Sequence, residues 1–371
     1  MVVGIPREIK NKEYRVSLTP AGVKELVHYG HHVIIETCAG EGSSIDDDAY
    51  LDAGGEIVNS PEEVYMRAEL ICKVKEPLPS EYPLIKSDHI IFTYFHFASD
   101  EDMLNAMVDS GSVSIAYETI EDRQGRLPLL MPMSQIAGRL SVQEGVNLLL
   151  KSKNGKGLLA GGIPGVKPAK VIIIGGGTVG TEAAKMAAGL GANVILFDVN
   201  LDRLTYLSEI LPPNVTTLFS NQLQLENEIK DADLIIGAIL VPGGKTPHLI
   251  TRKMLTLMQK GTVLLDVAVD QGGCIETIRP TTHSEPTYEV DGIIHYGVAN
   301  MPGAVPITAT KALTNATLPY IIKLADWGWE RVARDDAHFS CGINVAKGFI
   351  TYRRLAEEFD KEYIAPESLM G

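Results

Sequence analysis

Four side chains in this sequence have the chemistry to hold a small acid and move a proton: Arg15, Lys75, His96 and Asp270. A guanidinium clamps a carboxylate through two parallel hydrogen bonds, and Arg15 stands in Lys12-Glu13-Tyr14-Arg15-Val16-Ser17. An ammonium polarises a carbonyl or pairs with a carboxylate. Lys75 ends an apolar run, and alternation along a strand would put it on the same face as Lys73. Histidine is the side chain best suited to proton transfer near neutral pH, and His96 follows the run Ile90-Ile91-Phe92-Thr93-Tyr94-Phe95. A carboxylate such as Asp270 orients a water or offsets a cationic imine. By residue type alone each has a plain alternative: a solvated surface arginine, a solvated strand end, a satisfied core histidine, and a turn aspartate beside Gly272-Gly273.

The most specific local signal is Val171-Ile172-Ile173-Ile174-Gly175-Gly176-Gly177-Thr178-Val179-Gly180. It predicts a buried strand, a glycine turn and a helix, with Gly175, Gly177 and Gly180 at G-x-G-x-x-G spacing. The first glycine permits the tight turn, the second lets a pyrophosphate approach bare backbone, and the third lets helix and strand pack closely. The helix start then offers free N–H groups to the phosphates. A second strand, Asn193-Val194-Ile195-Leu196-Phe197, ends at Asp198, about 20 residues on, where an acid can bind the adenosine ribose. Asp266 precedes Asp270 by one turn and reads as structural.

The elements that must position these groups fall into three stretches. Before the glycine turn, strands are expected at 2–5, 33–36, 70–74, 89–95 and 112–116. Helices are expected to begin at Thr19-Pro20 and at Ser60-Pro61, a hydroxyl N-cap before proline, with a third over 100–109. Residues 134–151 carry apolar positions at helical spacing, and a glycine-rich loop follows at 155–165. After the turn, strands are expected at 215–219, 233–236, 263–266 and 293–298, about the count of a full doubly wound domain. About 70 residues remain after that count, with a helix pattern over 308–325 and a kink expected at Pro319. The economical reading is α/β with two doubly wound domains. A Rossmann domain (134–301) is inserted into a discontinuous substrate domain (1–133 and 302–371), leaving a cleft between them.

With 371 residues the chain is long for one domain. A formal charge of −14 disfavours nucleic acid or an anionic membrane as partner. No apolar run reaches the length of a membrane span, and no signal peptide opens the chain. The 4 cysteines, Cys38, Cys72, Cys274 and Cys341, are scattered without C-x-x-C spacing and read as buried thiols of a reduced, cytoplasmic protein.

Taken together, these residues resemble the alanine dehydrogenase family (the alanine dehydrogenase/transhydrogenase alpha-subunit family). The resemblance runs in register from Gly4-Ile5-Pro6-Arg7-Glu8-Ile9-Lys10 and Arg15-Val16 through Val74-Lys75-Glu76-Pro77, Phe92-Thr93-Tyr94-Phe95-His96 and Met133-Ser134-Gln135-Ile136-Ala137-Gly138-Arg139. It continues through the glycine turn and Asp266-Val267-Ala268-Val269-Asp270-Gln271-Gly272-Gly273 to Val298-Ala299-Asn300-Met301-Pro302-Gly303. It implies NAD-dependent oxidative deamination of L-alanine to pyruvate and ammonium, with the reverse amination, in a homo-hexamer. Carried over by position, Arg15 and Lys75 bind substrate, His96 is the acid/base, and Asp270 handles water and the amino or hydroxyl group of the carbinolamine. The implied cofactor set is Ser134, the turn glycines, Thr178, Val179, Asp198, Arg203, Ser220, Ile239, Leu240, the segment Val267, Ala268, Val269 and Asp270, then Arg279, Val298, Ala299, Asn300 and Met301. Asp198 would disfavour the 2′-phosphate of NADP, with Arg203 nearby to soften that preference. Some family members carry a magnesium-binding Glu and His where this chain has Lys323 and Trp327, so no such metal is expected. The competing readings are a transhydrogenase alpha-subunit-like NAD(H) binder that deaminates nothing, a silent NAD sensor, and a dehydrogenase for another amino acid such as lysine or saccharopine.

Overall fold

The computed structural model describes residues 1–239 and 246–370. These form two compact units, one of Met1–Met133 with Val305–Gly371, the other of Ser134–Ala304. Strands β1 (Val2–Ile5), β2 (His32–Glu36), β3 (Glu56–Val58), β4 (Leu70–Cys72), β5 (Ile90–Thr93) and β6 (Val113–Ala116) come first. The second unit holds β7 (Lys170–Ile174), β8 (Asn193–Asp198), β9 (Val215–Phe219), β10 (Leu234–Gly237), β11 (Val263–Asp266), β12 (Thr287–Val290) and β13 (Ile293–Tyr296). The chain closes with β14 (Ile343–Ala346) and β15 (Phe349–Ile350).

Both sheets wind the same way. In the first unit the order is β15-β14-β6-β5-β4-β1-β2-β3, parallel from β6 to β3, with β14 antiparallel to β6 and β15 antiparallel to β14. In the second it is β12-β13-β11-β10-β7-β8-β9, parallel except for the edge strand β12. Each contains the 3-2-1-4-5-6 order of a doubly wound fold. The strand order therefore reverses between β1 and β4 in one unit and between β7 and β10 in the other. Ligands of such sheets bind beyond the carboxyl ends of the strands at these switch points.

The central strands are buried along their length, for example Val171 to Ile174 and Ile90 to Thr93. Sheets covered by helices on both faces need this pattern. One core cluster joins Ile71, Ile91 and Phe95 to Leu104, Met107 and Val345; another joins Ile172, Ile235 and Leu264 to Met254 and Leu255. The expected caps form. The Thr19 hydroxyl accepts from the Gly22 amide at the head of Pro20–His28, and the Ser60 hydroxyl from the Glu63 amide at the head of Pro61–Arg67. Asp100 caps Glu101–Ser110 in the same way.

Several expectations are corrected. The helix expected from residue 134 starts earlier, as Met131–Leu148. β4 stops at Cys72 and β5 at Thr93, so Lys73, Lys75 and His96 stand in loops where strand alternation no longer governs them. The helix Pro306–Asp335 is broken at Gly328 (φ 72°, ψ 165°) rather than at Pro319. A left-handed φ is cheap for glycine. Of the thiols, Cys72 and Cys274 are buried, whereas Cys38 and Cys341 are half-buried.

Candidate active site

In the first unit the switch point gathers an unusual density of buried charge. β1 ends at Ile5 and leads to Glu8; β4 ends at Cys72 and leads to Lys73, Val74 and Lys75. Lys73 has no exposed side-chain surface and lies 3.3 Å from Glu8 and 2.9 Å from Glu81. Burial opposes its charge, but the two carboxylates outweigh burial and hold its pKa above the ordinary lysine value. Glu81 also accepts from the Tyr65 hydroxyl at 3.0 Å and the Leu78 amide at 2.8 Å. The other face of Glu8 takes the amides of Val74 (2.5 Å) and Lys75 (3.2 Å). Ser17 donates to the Cys72 carbonyl at 2.7 Å and Thr93 to the Lys75 carbonyl at 2.9 Å. The loop that carries Lys75 is thus pinned from three sides.

Lys75 is 8% exposed and lies 3.6 Å from Glu76, which also pairs with Lys10. Burial lowers its pKa, and the charges of Lys10 and Arg15 push the same way. Arg15 is 2% exposed and is held bidentate by Glu13, with Nε and Nη2 each 2.6 Å from a carboxylate oxygen. Its Nη1 reaches Met133 Sδ at 3.3 Å. His96 is half-buried and sits in the left-handed region (φ 55°, ψ 38°) just after β5. Its imidazole is stacked against the Tyr94 ring, with centroids 6.0 Å apart and planes inclined by 16°. Tyr94 in turn donates to the Leu129 carbonyl at 2.6 Å. Withdrawal from water, then the positive charge of Lys75, pushes the His96 pKa down to about 3. The first unit therefore brings Arg15, Lys75 and His96 into one electrostatic cluster around a neutral imidazole.

In the second unit the glycine turn follows β7 at the switch point. Gly175 has φ 107°, and a Cβ there would come within 2.7 Å of the Ala238 carbonyl. A Cβ on Gly180 would sit 1.8 Å from the Gly175 carbonyl, whereas one on Gly177 would meet nothing within 4 Å. The helix Thr178–Gly189 starts with no side-chain cap. Thr178 is exposed and Val179 half-buried at its first turn. Asp198 ends β8 and accepts from the Gly176 amide at 2.6 Å and the Asn200 amide at 2.9 Å. Arg203 donates to the Gly176 carbonyl at 2.7 Å and the Thr181 hydroxyl at 2.9 Å, so it buttresses the turn. Ser220, one residue past β9, donates its amide to the Asp198 carbonyl at 2.9 Å. Ile239 follows β10 and packs on the core; Leu240 lies outside the described residues.

Past β11, Asp266 is fully buried and accepts from the amides of Ala268 (3.0 Å) and Cys274 (2.7 Å). It ties down both ends of the loop from Ala268 to Cys274, which carries Val269 and Asp270 and follows Val267, and Asp270 itself is exposed. Arg279 is exposed and stacks over Tyr288 at 4.3 Å. Val298 and Met301 are buried; Ala299 and Asn300 are half-buried, Asn300 at φ 59°. Ser134 is half-buried in Met131–Leu148, one turn before Gly138, where a Cβ would come within 2.3 Å of the Val179 carbonyl.

Sequence reasoning missed Glu8, Glu13, Tyr94 and Glu118. Glu13 carried a usable signal, an acid two residues from Arg15; Glu118, after β6, carried none. Burial raises the Glu118 carboxyl to about 7 against the amide hydrogen bond of His96. Lys323 pairs with Asp336 and lies 4.5 Å over the Trp327 ring. Among the described residues no His/Cys/Asp/Glu group is arranged to hold a metal, and no helix is long and apolar enough to cross a membrane.

One contrast follows from the glycines. Gly177→Ala is expected to fold, at a cost of about 1 kcal/mol or less at this N-cap. Gly180→Ala is expected to fail to fold stably. Thermal melts check both; a Gly180→Ala chain that melts like the wild type would show that the close approach at that position is relieved by a shift of the turn.

The chain matches two family models, the alanine dehydrogenase/PNT N-terminal domain over residues 4–137 and the alanine dehydrogenase/PNT C-terminal domain over residues 141–353. It is 51% identical over 371 residues to an alanine dehydrogenase of Halomonas elongata, covering 100% of both chains. It is 48% identical to an alanine dehydrogenase of Bacillus subtilis, covering 100% of this chain and 98% of that one. A solved structure of an L-alanine dehydrogenase superposes with a TM-score of 0.94 at 50% identity, over 97% of this chain and 99% of that one. A transhydrogenase from Sinorhizobium meliloti shares the fold, with a TM-score of 0.81 at 24% identity over 95% of this chain and 99% of that one. With both sheets, both switch points and matches over nearly its whole length, the chain belongs to the alanine dehydrogenase/PNT family.

Proposed function

We propose that this chain interconverts L-alanine with pyruvate and ammonium, using NAD(H). The observation that carries the reading is the electrostatic cluster of buried Arg15 and Lys75 with half-buried His96 at one switch point, in a chain with a nucleotide-type glycine turn at the other. The second unit fits a dinucleotide. The space beside Gly177 is open, the helix start is uncapped, and the Asp198 carboxylate stands at the end of β8. Gly175, Gly177, Gly180, Thr178 and Val179 would hold the pyrophosphate through backbone N–H groups. Asp198 would take the ribose, favouring NAD over NADP, while Arg203, already committed to Gly176 and Thr181, does little to favour a 2′-phosphate. Ser134, Ser220, Ile239, Leu240, Val267, Ala268, Val269, Arg279, Val298, Ala299, Asn300 and Met301 complete the proposed contacts.

The nicotinamide ring supplies the acceptor, or in reverse the donor, for hydride at the substrate Cα. Arg15 and Lys75 bind the substrate carboxylate, and Lys75 also stabilises the carbonyl oxygen as it develops. Asp270 offsets positive charge as the amine becomes an iminium and orients water toward it. His96, neutral in the free protein, accepts the proton of that water and returns it as ammonia leaves the carbinolamine. Positioning supplies much of the acceleration. A cytoplasmic homo-hexamer is the assembly that goes with this reading.

The test follows NADH absorbance with pyruvate and ammonium, then with NADPH and with glyoxylate. Rapid NADH oxidation that needs both pyruvate and ammonium is expected. NADH binding without oxidation by any oxo acid would overturn the reading in favour of a transhydrogenase-like binder.

A further inference from the structure

We infer that Glu118 is a positioning residue for His96: its carboxylate grips the peptide N–H groups at the end of β5 and fixes the left-handed backbone turn that carries the imidazole. This rests on the acid/base role proposed for His96. β5 is paired on both sides, with β4 and with β6, and its last registered pair is Thr93 with Ala116. Beyond that pair the amides of Phe95 and His96 leave the ladder and need acceptors. Glu118 stands two residues past Ala116, in the short turn Tyr117–Thr119. Its Oε1 accepts from the His96 amide at 2.6 Å and from the Phe95 amide at 3.1 Å, with Oε2 a longer 3.3 Å from the latter. The contact to the His96 amide, at 2.6 Å, is short for an N–H···O hydrogen bond, whose usual length is about 2.9–3.0 Å.

The His96 carbonyl is tied as well, accepting from the Ser99 amide at 2.9 Å and the Ser99 hydroxyl at 2.8 Å. A non-glycine residue in the left-handed region is sparsely populated without such over-determination. Histidine tolerates the region better than most residues, but nothing in the local sequence requires it here. The turn aims the ring at Tyr94, against which it stacks, and into the field of Lys75 and Arg15. Glu118 feels the charge of Lys75, but its hydrogen bonds go to the backbone of the strand it neighbours.

The two shorter bonds share Oε1, so a single carbonyl oxygen at that position suffices. Glu118→Gln is therefore expected to retain kcat within about three-fold. Glu118→Asp, whose shorter side chain cannot reach, and Glu118→Ala are expected to lower kcat about 10- to 100-fold, the scale of an ångström-sized misplacement. KM for alanine and for NAD should stay within about two-fold, because Arg15, Lys75 and the glycine turn are untouched. Crystal structures of the variants give φ at residue 96, a readout that does not depend on turnover. Residue 96 leaving the left-handed region in Glu118→Asp or Glu118→Ala supports the inference. Retention of both that φ and full kcat overturns it. Should Glu118→Ala not fold, Glu118→Asp against Glu118→Gln still decides. Should the wild-type protein turn over no amino acid, the proposed function fails, while φ at residue 96 still judges Glu118.

Discussion

Arg15→Met is expected to lower kcat/KM for alanine by about 10²–10⁴ and to destabilise the fold by about 3–5 kcal/mol. The two losses have different origins. Turnover falls because a methionine cannot clamp a carboxylate. Stability falls because Glu13 stays behind: its side chain is 1% exposed, and its bidentate partner is gone. Breaking a buried ion pair by removing one member costs more than the intact pair ever contributed. The double variant Arg15→Met with Glu13→Gln separates these effects. It should recover most of the urea midpoint and none of the turnover. A single variant that unfolds like the wild type would mean that Glu13 does not depend on Arg15. Arg15→Lys should also fail in turnover, since an ammonium is a point charge without the planar fork.

His96→Ala should lower kcat about 10²–10⁴-fold in both directions while leaving NADH affinity nearly unchanged. Equal loss of both would remove His96 from the chemistry. The imidazole also predicts a pH signature. In the free protein it is pushed down to about 3, first by burial and then by Lys75, with Lys10 and Arg15 acting the same way. A bound substrate carboxylate places negative charge beside Lys75 and Arg15, offsets both, and raises the pKa again. The acidic limb of kcat, which reports the substrate complex, should therefore lie at higher pH than that of kcat/KM, which reports the free protein. Lys75→Met should move the limb of kcat/KM upward. Coincident limbs in the wild type would show that substrate charge is not felt at His96.

The fold was legible wherever an apolar strand met a punctuating residue. The glycine turn, the strand ending at Asp198 and the proline-started helices after Thr19 and Ser60 all stand where expected. Short or amphipathic pieces were not legible. β3 spans Glu56–Val58 and β15 only Phe349–Ile350, too short for a period to register. Pro319 drew attention away from Gly328, because a proline advertises a kink while a left-handed glycine is visible only in its torsions. At the candidate site, Arg15, Lys75 and His96 were named by type and by family resemblance. The acids that hold their loops were not, since Glu8 and Glu118 reach the backbone of Lys75 and His96 from distant turns.

The first sheet is completed by residues far from its beginning. β6 ends at Ala116, yet the strand that covers its open edge, β14, begins at Ile343. A ribosome adding about 5–20 residues per second needs roughly 10–50 s to make the chain between them. During that interval the whole of Ser134–Ala304, one uninterrupted segment, can emerge and fold. The nascent chain meanwhile displays β6, Val113-Ser114-Ile115-Ala116, with one edge paired to β5 and the other open, although every residue of it is buried in the finished protein. Such an edge is a template for pairing with another chain. The order of synthesis thus makes this strand the place where a crowded polysome would first aggregate, and where a chaperone would first be needed.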